Sequence, residues 1–272
     1  MWGFTFHRRT VLELMLTVFI SCLPIASGLM VMIYQQDRKL EDNARVSVTE
    51  AIHSVDLALE RMHTAAVTAL PLAQTSCDIA RDKLVKLVSN LQSLQGLMLA
   101  KDEIVYCSTM PSPLYDSAQP VAFKSPVSLV VDPFSTPNAV LIAYQLLHEK
   151  SSVIALAYGL ELRNELRAFK DGLILLLEFG DTYITASGDS RDPRRPSQTE
   201  YRTTGVSAKF GYTVVAGYPA GYSTQEARNT ILQVAPSLAL VGIFTGVVFF
   251  WGMSNHRIKR GSTAAKNNDD GT

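Results

Sequence analysis

Residues 10–34 read TVLELMLTVFISCLPIASGLMVMIY. Glu13 is the single formal charge in this run and sits near one end. A helix needs about 20 apolar residues to cross the hydrocarbon layer of a bilayer, so the stretch reads as an uncleaved membrane helix. A cleaved signal peptide shares the pattern of Arg8 and Arg9 ahead of an apolar run. Ala26 and Ser27 offer only a poor cleavage site, and apolar character continues through Met30, Val31, Met32 and Ile33. A lipoprotein reading of Cys22 is weaker still, because Phe19, Ile20 and Ser21 lack the small-residue pattern such a site needs. Cys22 is most simply a small hydrophobe within the membrane.

Outward from this stretch, the second apolar segment is Thr230 to Met253. It carries no charge and ends in Phe249, Phe250 and Trp251, ahead of His256, Arg257, Lys259, Arg260 and Lys266. Aromatic residues suit the membrane interface, and Lys and Arg suit the cytoplasmic side. The first segment is likewise preceded by His7, Arg8 and Arg9 with no acid. Both termini are therefore expected in the cytoplasm. The layout is a cytoplasmic N-terminus over 1–9, transmembrane helices over 10–34 and 230–253, an extracytoplasmic domain over 35–229, and a polar cytoplasmic tail over 254–272. That tail is low in aromatics and is expected to be disordered. Gly242, Gly246 and Gly252 would allow close helix packing, although Gly242 and Gly246 make only one small-xxx-small pair.

The chain has 272 residues, 47% of them hydrophobic. That suits one domain of ordinary size plus apolar segments outside its core. The formal net charge is zero, but the middle is slightly acidic, with 19 Lys and Arg against 22 Asp and Glu over residues 35–229. Nothing in that balance suggests a nucleic-acid partner.

From Asp37 to Leu70 the pattern is helical, and Val48, Ile52, Val55, Leu59, Met62 and Ala66 alternate steps of four and three. Such an a/d seam is either the dimer interface of a stalk rising from the membrane or the face laid on the domain's own sheet. Pro71 ends the run. Thr75 and Ser76 can cap a second helix with Asp78 and Asp82 near its positive end; its expected buried face is Ile79, Leu84, Leu87, Val88, Leu91 and Leu94, and Gly96 stops it. A hairpin follows, Leu97 to Ala100 and Ile104 to Thr109, turned at Lys101 and Asp102. Pro111, Pro113, Pro120 and Pro126 mark a loop. Strand-like runs come at 127–131, 139–144 and 153–158, then a short polar helix at 161–169. Two strands at 173–179 and 183–186 are joined by Gly180 and Asp181. A loop with Arg191, Asp192, Pro193, Arg194, Arg195 and Pro196 leads to a last strand at 212–218. The order predicts an α+β fold: two transmembrane helices flanking a PAS-like (PDC-like) domain with a long N-terminal helix and an antiparallel sheet.

Cys77 and Cys107 fall in the extracytoplasmic part, an oxidising compartment where a disulfide can persist. Closing a loop of about 30 residues would restrict the unfolded chain by roughly 3–4 kcal/mol in the entropy account. Such a bond is either a structural staple or a labile redox switch. Cys77 opens a helix whose far end feeds the hairpin carrying Cys107, and Cα atoms must approach within about 7 Å to be bridged. Simple stacking of helix on hairpin would hold the two apart. Arg191, Arg194 and Arg195 form a candidate anion-binding loop, with plain solvation as the alternative. His53 and His63 lack metal-ligand spacing and read as solvated stalk residues. Ser108 has no evident base partner.

Thr75-Ser-Cys-Asp-Ile-Ala-Arg81 and, thirty residues after its cysteine, Tyr106-Cys-Ser-Thr-Met110 resemble the CSS-motif periplasmic sensor domain of bacterial cyclic-di-GMP phosphodiesterases. The resemblance covers the whole layout of membrane helix, two-cysteine domain and second membrane helix. The motif residues are Cys107, Ser108 and Thr109, with Thr109 keeping the hydroxyl of the family's second serine. The resemblance implies an inner-membrane protein with a periplasmic domain, and a redox pair, Cys77 and Cys107, regulated by the periplasmic disulfide oxidation machinery. In the family an EAL phosphodiesterase domain follows the second helix. Such a domain needs a barrel of about 250 residues; only residues 254–272 follow here, and no Glu-Ala-Leu occurs. The expectation is a chain that is not an enzyme by itself and holds no metal or cofactor. It would sense thiol state or a ligand for cyclic-di-GMP phosphodiesterase signalling. The alternative is a degenerate interaction protein that forms homodimers, or heterodimers with full-length membrane phosphodiesterases, and modulates them.

Overall fold

The computed structural model describes residues 3–91, 93–110, 125–131, 139–169 and 172–269, with side chains at all but 3–10, 12–14 and 253–269. Pro111, Pro113 and Pro120, and the side chains of both basic clusters, lie outside the described residues. In chain order the elements are α1 (Gly3–Ala69), a 3-10 helix (Leu70–Gln74), α2 (Cys77–Asn90), β1 (Gly96–Lys101), β2 (Ile104–Ser108), β3 (Val127–Val131), β4 (Val140–His148), β5 (Ser151–Tyr158), α3 (Gly159–Ala168), β6 (Ile174–Phe179), β7 (Thr182–Thr185), β8 (Glu200–Val206), β9 (Thr213–Tyr218) and α4 (Tyr222–Asp269). They form two units, Met1–Lys39 with Ser223–Thr272, and Leu40–Tyr222.

The first unit consists of the apolar parts of α1 and α4. Both are long and apolar enough to cross a membrane, with mean hydropathy of 2.2 and 2.0 in their most apolar windows. Phe19, Met30, Phe244, Phe250 and Trp251 point outward and are each more than half exposed, a surface that soluble proteins rarely leave open. Gly242 lies against Ile25 and the carbonyl of Ser21, and Gly246 against the Ser21 hydroxyl, so a side chain at either would collide. The small pair thus packs two helices of one chain. Gly252 meets nothing. α4 continues to Asp269 where a disordered tail was expected; Lys259, Arg260, Ala264, Ala265 and Lys266 are good helix formers with no proline among them.

In the second unit, α1 buries Val48, Val55, Leu59, Met62 and Ala66 and half-buries Ile52. These residues join one apolar cluster with the inner faces of two antiparallel sheets. The seam therefore serves the domain's own sheets, which decides between the two readings left open by its spacing. One sheet has the order β2-β1-β5-β4-β3 and the other β7-β6-β9-β8, where a single sheet was expected. Leu97, Leu99, Ile142, Tyr144, Val153 and Ala155 face the cluster from the first sheet; Leu175, Leu177, Val214 and Ala216 face it from the second.

Pro71 ends α1 as expected, by passing the chain into the 3-10 helix. α2 departs from expectation in two ways. It stops at Asn90, and Gly96 instead opens β1. Its buried stripe runs Cys77, Ala80, Leu84, Leu87 and Val88, which leaves Ile79 about 100° off the stripe and 60% exposed. The β1–β2 turn is Asp102-Glu103, both at positive φ, as a two-residue hairpin with right-handed twist demands. β8 was not anticipated. Glu-Tyr-Arg-Thr-Thr-Gly-Val shows no apolar alternation because it is an edge strand paired on one side by β9. Gly205 lets it approach α1: a Cβ there would stand 2.6 Å from Val48 Cγ1.

Candidate functional site

Cys77 and Cys107 are joined in a disulfide with Cα atoms 5.1 Å apart. The expected obstacle is removed by a β-bulge. Leu99 pairs with Cys107, whereas the next residue, Ala100, pairs with Val105, so Tyr106 is the extra residue on β2. In an unbroken strand Val105 and Cys107 would share a face. With the bulge, Val105 packs on the outer face of the sheet while Tyr106 and Cys107 both turn toward the helices. α2 begins over this strand, so the two cysteines meet at the start of one element and the middle of the other. Cys107 is buried and Cys77 half-buried.

Each residue of the Cys-Ser-Thr motif has a separate structural task. The Thr109 backbone N–H donates to the Leu97 carbonyl at 3.0 Å, and its hydroxyl accepts from the Leu97 N–H at 3.0 Å. A hydroxyl side chain thereby completes the ladder at the open end of the hairpin, which serine could also do. Ser108 is buried and its hydroxyl accepts from the Met110 N–H at 3.1 Å, turning the chain away from the sheet. Gly96 is required opposite this turn, since a Cβ there would lie 2.5 Å from Met110 Cγ. The Tyr106 hydroxyl donates to the Ala73 carbonyl at 2.8 Å, tying β2 to the 3-10 helix that follows α1; burial pushes that phenol's pKa up. Beside the disulfide, a cleft of about 490 Å³ is lined by Gln74, Thr75, Ser76, Lys101 and Tyr106, among others.

The three arginines do not converge on an open site. The Arg191 guanidinium makes two bonds of 2.8 Å to Asp189, and Arg163 reaches the same carboxylate from α3. Hydrogen bonds from Arg191, with the Arg163 charge, hold the Asp189 carboxyl below its ordinary range despite burial. Arg195 pairs with Glu178 and lies over the Tyr183 ring, and Arg194 gives its backbone N–H to Asp192. His53 is exposed, as read. His63 is not a solvated stalk residue: its Nδ1 is 2.7 Å from the Tyr144 hydroxyl, and the rings meet edge to face. The cause is the helical turn that faces β4.

The sequence did not reveal the polar ties of α1 to the second sheet. The buried Tyr212 hydroxyl donates to Asp56 at 2.8 Å, as does the Ser207 hydroxyl at 2.7 Å. Burial first and Asp56 second push the Tyr212 phenol far up. Each partner is 151 or more residues from Asp56 in sequence, a separation at which no local pattern signals contact. Among the described residues, no three His, Cys, Asp or Glu side chains gather in a way that could hold a metal ion.

The family described as "CSS motif domain associated with EAL" matches residues 40–230, and the match is to that domain alone. No curated protein matches the sequence. Among solved structures, the extracellular domain assigned to a histidine kinase, rpHK1S-Z16, superposes with a TM-score of 0.45 at 12% identity, over 70% of this chain and 98% of that one.

Proposed function

The chain belongs to the family of CSS motif domains associated with EAL, and from that premise we propose that it is a sensory module of the bacterial inner membrane. In this reading the apolar helices span the membrane with both termini in the cytoplasm. The PAS-like domain stands in the periplasm and reports thiol state to cyclic-di-GMP phosphodiesterase signalling. One observation carries the reading: the motif cysteine bridges the edge strand to the start of α2, four residues after Ala73, which accepts the Tyr106 bond. The bond state therefore acts next to the C-terminal end of α1, whose other end carries an apolar segment.

Chemically, the two thiols form the S–S bond by exchange with a disulfide of the periplasmic oxidation machinery. Two electrons and two protons pass to that acceptor, which leaves as a dithiol. Reduction is the reverse exchange with a dithiol donor. The half-buried Cys77 sulfur is the more accessible point of attack, since Cys107 is 1% exposed. Trapping free thiols in cells with and without the oxidase tests the proposal. The expected result is a bridged pair in the first strain and free thiols in the second; cysteines that stay free in both strains sink it.

A further inference from the structure

The Cys77–Cys107 bridge is one of two links between the same two short segments. The other is the hydrogen bond that the Tyr106 hydroxyl donates to the Ala73 carbonyl at 2.8 Å. Tyr106 directly precedes Cys107, and the bulge on β2 turns both side chains toward the helices. Ala73 precedes Cys77 by four residues and is 4% exposed. It stands one residue before the end of the 3-10 helix, where carbonyls run out of partners within the helix.

The stretch from Ala73 to Cys77 is itself fastened. Thr75 gives both its backbone N–H and its hydroxyl to the Leu72 carbonyl, at 3.0 and 2.8 Å, and the Ile79 and Ala80 N–H groups both donate to the Ser76 carbonyl. A displacement at Ala73 is therefore carried to Cys77 and not absorbed by a loose turn. Reduction removes the covalent link and leaves the hydrogen bond. Closing the bridge then completes a small ring through 73–77 and 106–107, in place of a loop with a sequence separation of 30, and a smaller ring loses less entropy on closure. Burial pushes the Tyr106 pKa up, so the phenol keeps its proton where thiols exchange. With the bridge formed, the S–S bond already holds Tyr106 beside Ala73, and the hydrogen bond adds little order. With the thiols free, its loss lets the two segments separate.

We propose that Tyr106 is the positioning residue of the thiol pair: its hydrogen bond to Ala73 holds Cys77 and Cys107 within bridging reach when both are reduced, and so favours closure. The proposal rests on the redox reading in taking the pair to open and close. By linkage, the bridge favours the hydrogen bond by the same factor as the hydrogen bond favours the bridge. The net contribution of one hydrogen bond sets that factor between about twofold and about tenfold.

The test equilibrates the full chain, purified in detergent, against graded ratios of dithiothreitol and its cyclic disulfide. In the reducing direction a dithiothreitol thiolate attacks the bridge and its second thiol resolves the mixed disulfide. Two electrons and two protons pass to the protein as the cyclic disulfide leaves. Thiols are trapped by alkylation and read by mass on the peptides carrying Cys77 and Cys107, which keeps the free Cys22 out of the measurement. Tyr106→Phe keeps the ring and removes the donor, and should shift the equilibrium toward the dithiol by about threefold. Tyr183→Phe removes a like bond, to the Asp192 carbonyl at 2.9 Å in the other sheet, and should not move it. An unmoved equilibrium in Tyr106→Phe overturns the proposal. So does an equal shift in Tyr183→Phe, which would mean general loosening of the fold. Should Tyr106→Phe fail to fold, the reduced wild-type chain decides: the amides of 104–108 should still exchange more slowly than in the unfolded chain, and exchange at the unfolded rate overturns the proposal. Cysteines that stay free in cells would refute the sensing reading and leave this equilibrium, set by the buffer, measurable as before.

Discussion

The two sheets of the domain share the α1 seam but are closed by different chemistry. In the five-stranded sheet the edge strand β2 is fastened covalently, through Cys107 to the start of α2. In the four-stranded sheet the corresponding ties are ionic or polar: Asp189 with Arg163 and Arg191, Glu178 with Arg195, and the Gln198 amide donating to the carbonyls of Ile174 and Val215 at 2.8 and 2.9 Å. A covalent tie answers to thiol redox potential and is indifferent to moderate changes in pH. Carboxylate ties answer to pH and ignore thiols. One core is therefore closed by a covalent tie in one sheet and by ion pairs and hydrogen bonds in the other.

The largest effect should come from removing the covalent tie. Replacing Cys77→Ser and Cys107→Ser together should cost roughly 3–4 kcal/mol in urea unfolding. Amide exchange should rise in β1, β2 and α2 first; an equal rise in β6 to β9 would break the comparison. Next comes Gly205→Val, whose Cβ would stand 2.6 Å from Val48 Cγ1 and 2.8 Å from Ile52 Cδ1. Overpacking of this kind costs about 1–3 kcal/mol, and limited proteolysis should open β8 while the disulfide stays formed.

Asp189→Asn should cost about 1–2 kcal/mol at neutral pH, as a charge-assisted hydrogen bond is lost, and should also change the acid limb of stability. The Asp189 carboxyl is held below its ordinary range by Arg191 and Arg163. Its ionised form therefore contributes stability above the unfolded value of about pH 4, and that contribution disappears as pH falls through the lower folded value. The variant should show a flatter loss of stability below about pH 4; an unchanged slope would refute the assignment. The smallest effect belongs to Lys209→Met, which breaks an exposed pair with Glu60 at 2.8 Å. Its change in melting temperature should vanish at high salt.

Legibility in the sequence followed the locality of the forces. β3 is read to the residue, since Val-Ser-Leu-Val-Val is a dense apolar run. β8 went unread because an edge strand can be polar on both faces and takes its identity from its neighbour β9. The motif cysteines were legible as residues, but their pairing hinged on the Tyr106 bulge, a change of register that residue types alone do not announce. The arginine loop was legible as charge, while its ion partners Asp189 and Glu178 were settled by which strands lie side by side.

By itself, the sequence determined the two apolar helices, the 3.5-residue seam on α1, the order of most elements and the identity of the two cysteines. Those properties arise from periodicity and from contacts between near neighbours in the chain, whose energies repeat along a segment and leave a pattern. Only the tertiary structure decided that the seam covers two sheets of the same chain, that Cys107 turns toward α2, that His63 meets Tyr144, and that Tyr106 reaches the Ala73 carbonyl. Each of these depends on which surfaces come together after long loops close, a choice made by the fit of the whole core and written in no single stretch of residues.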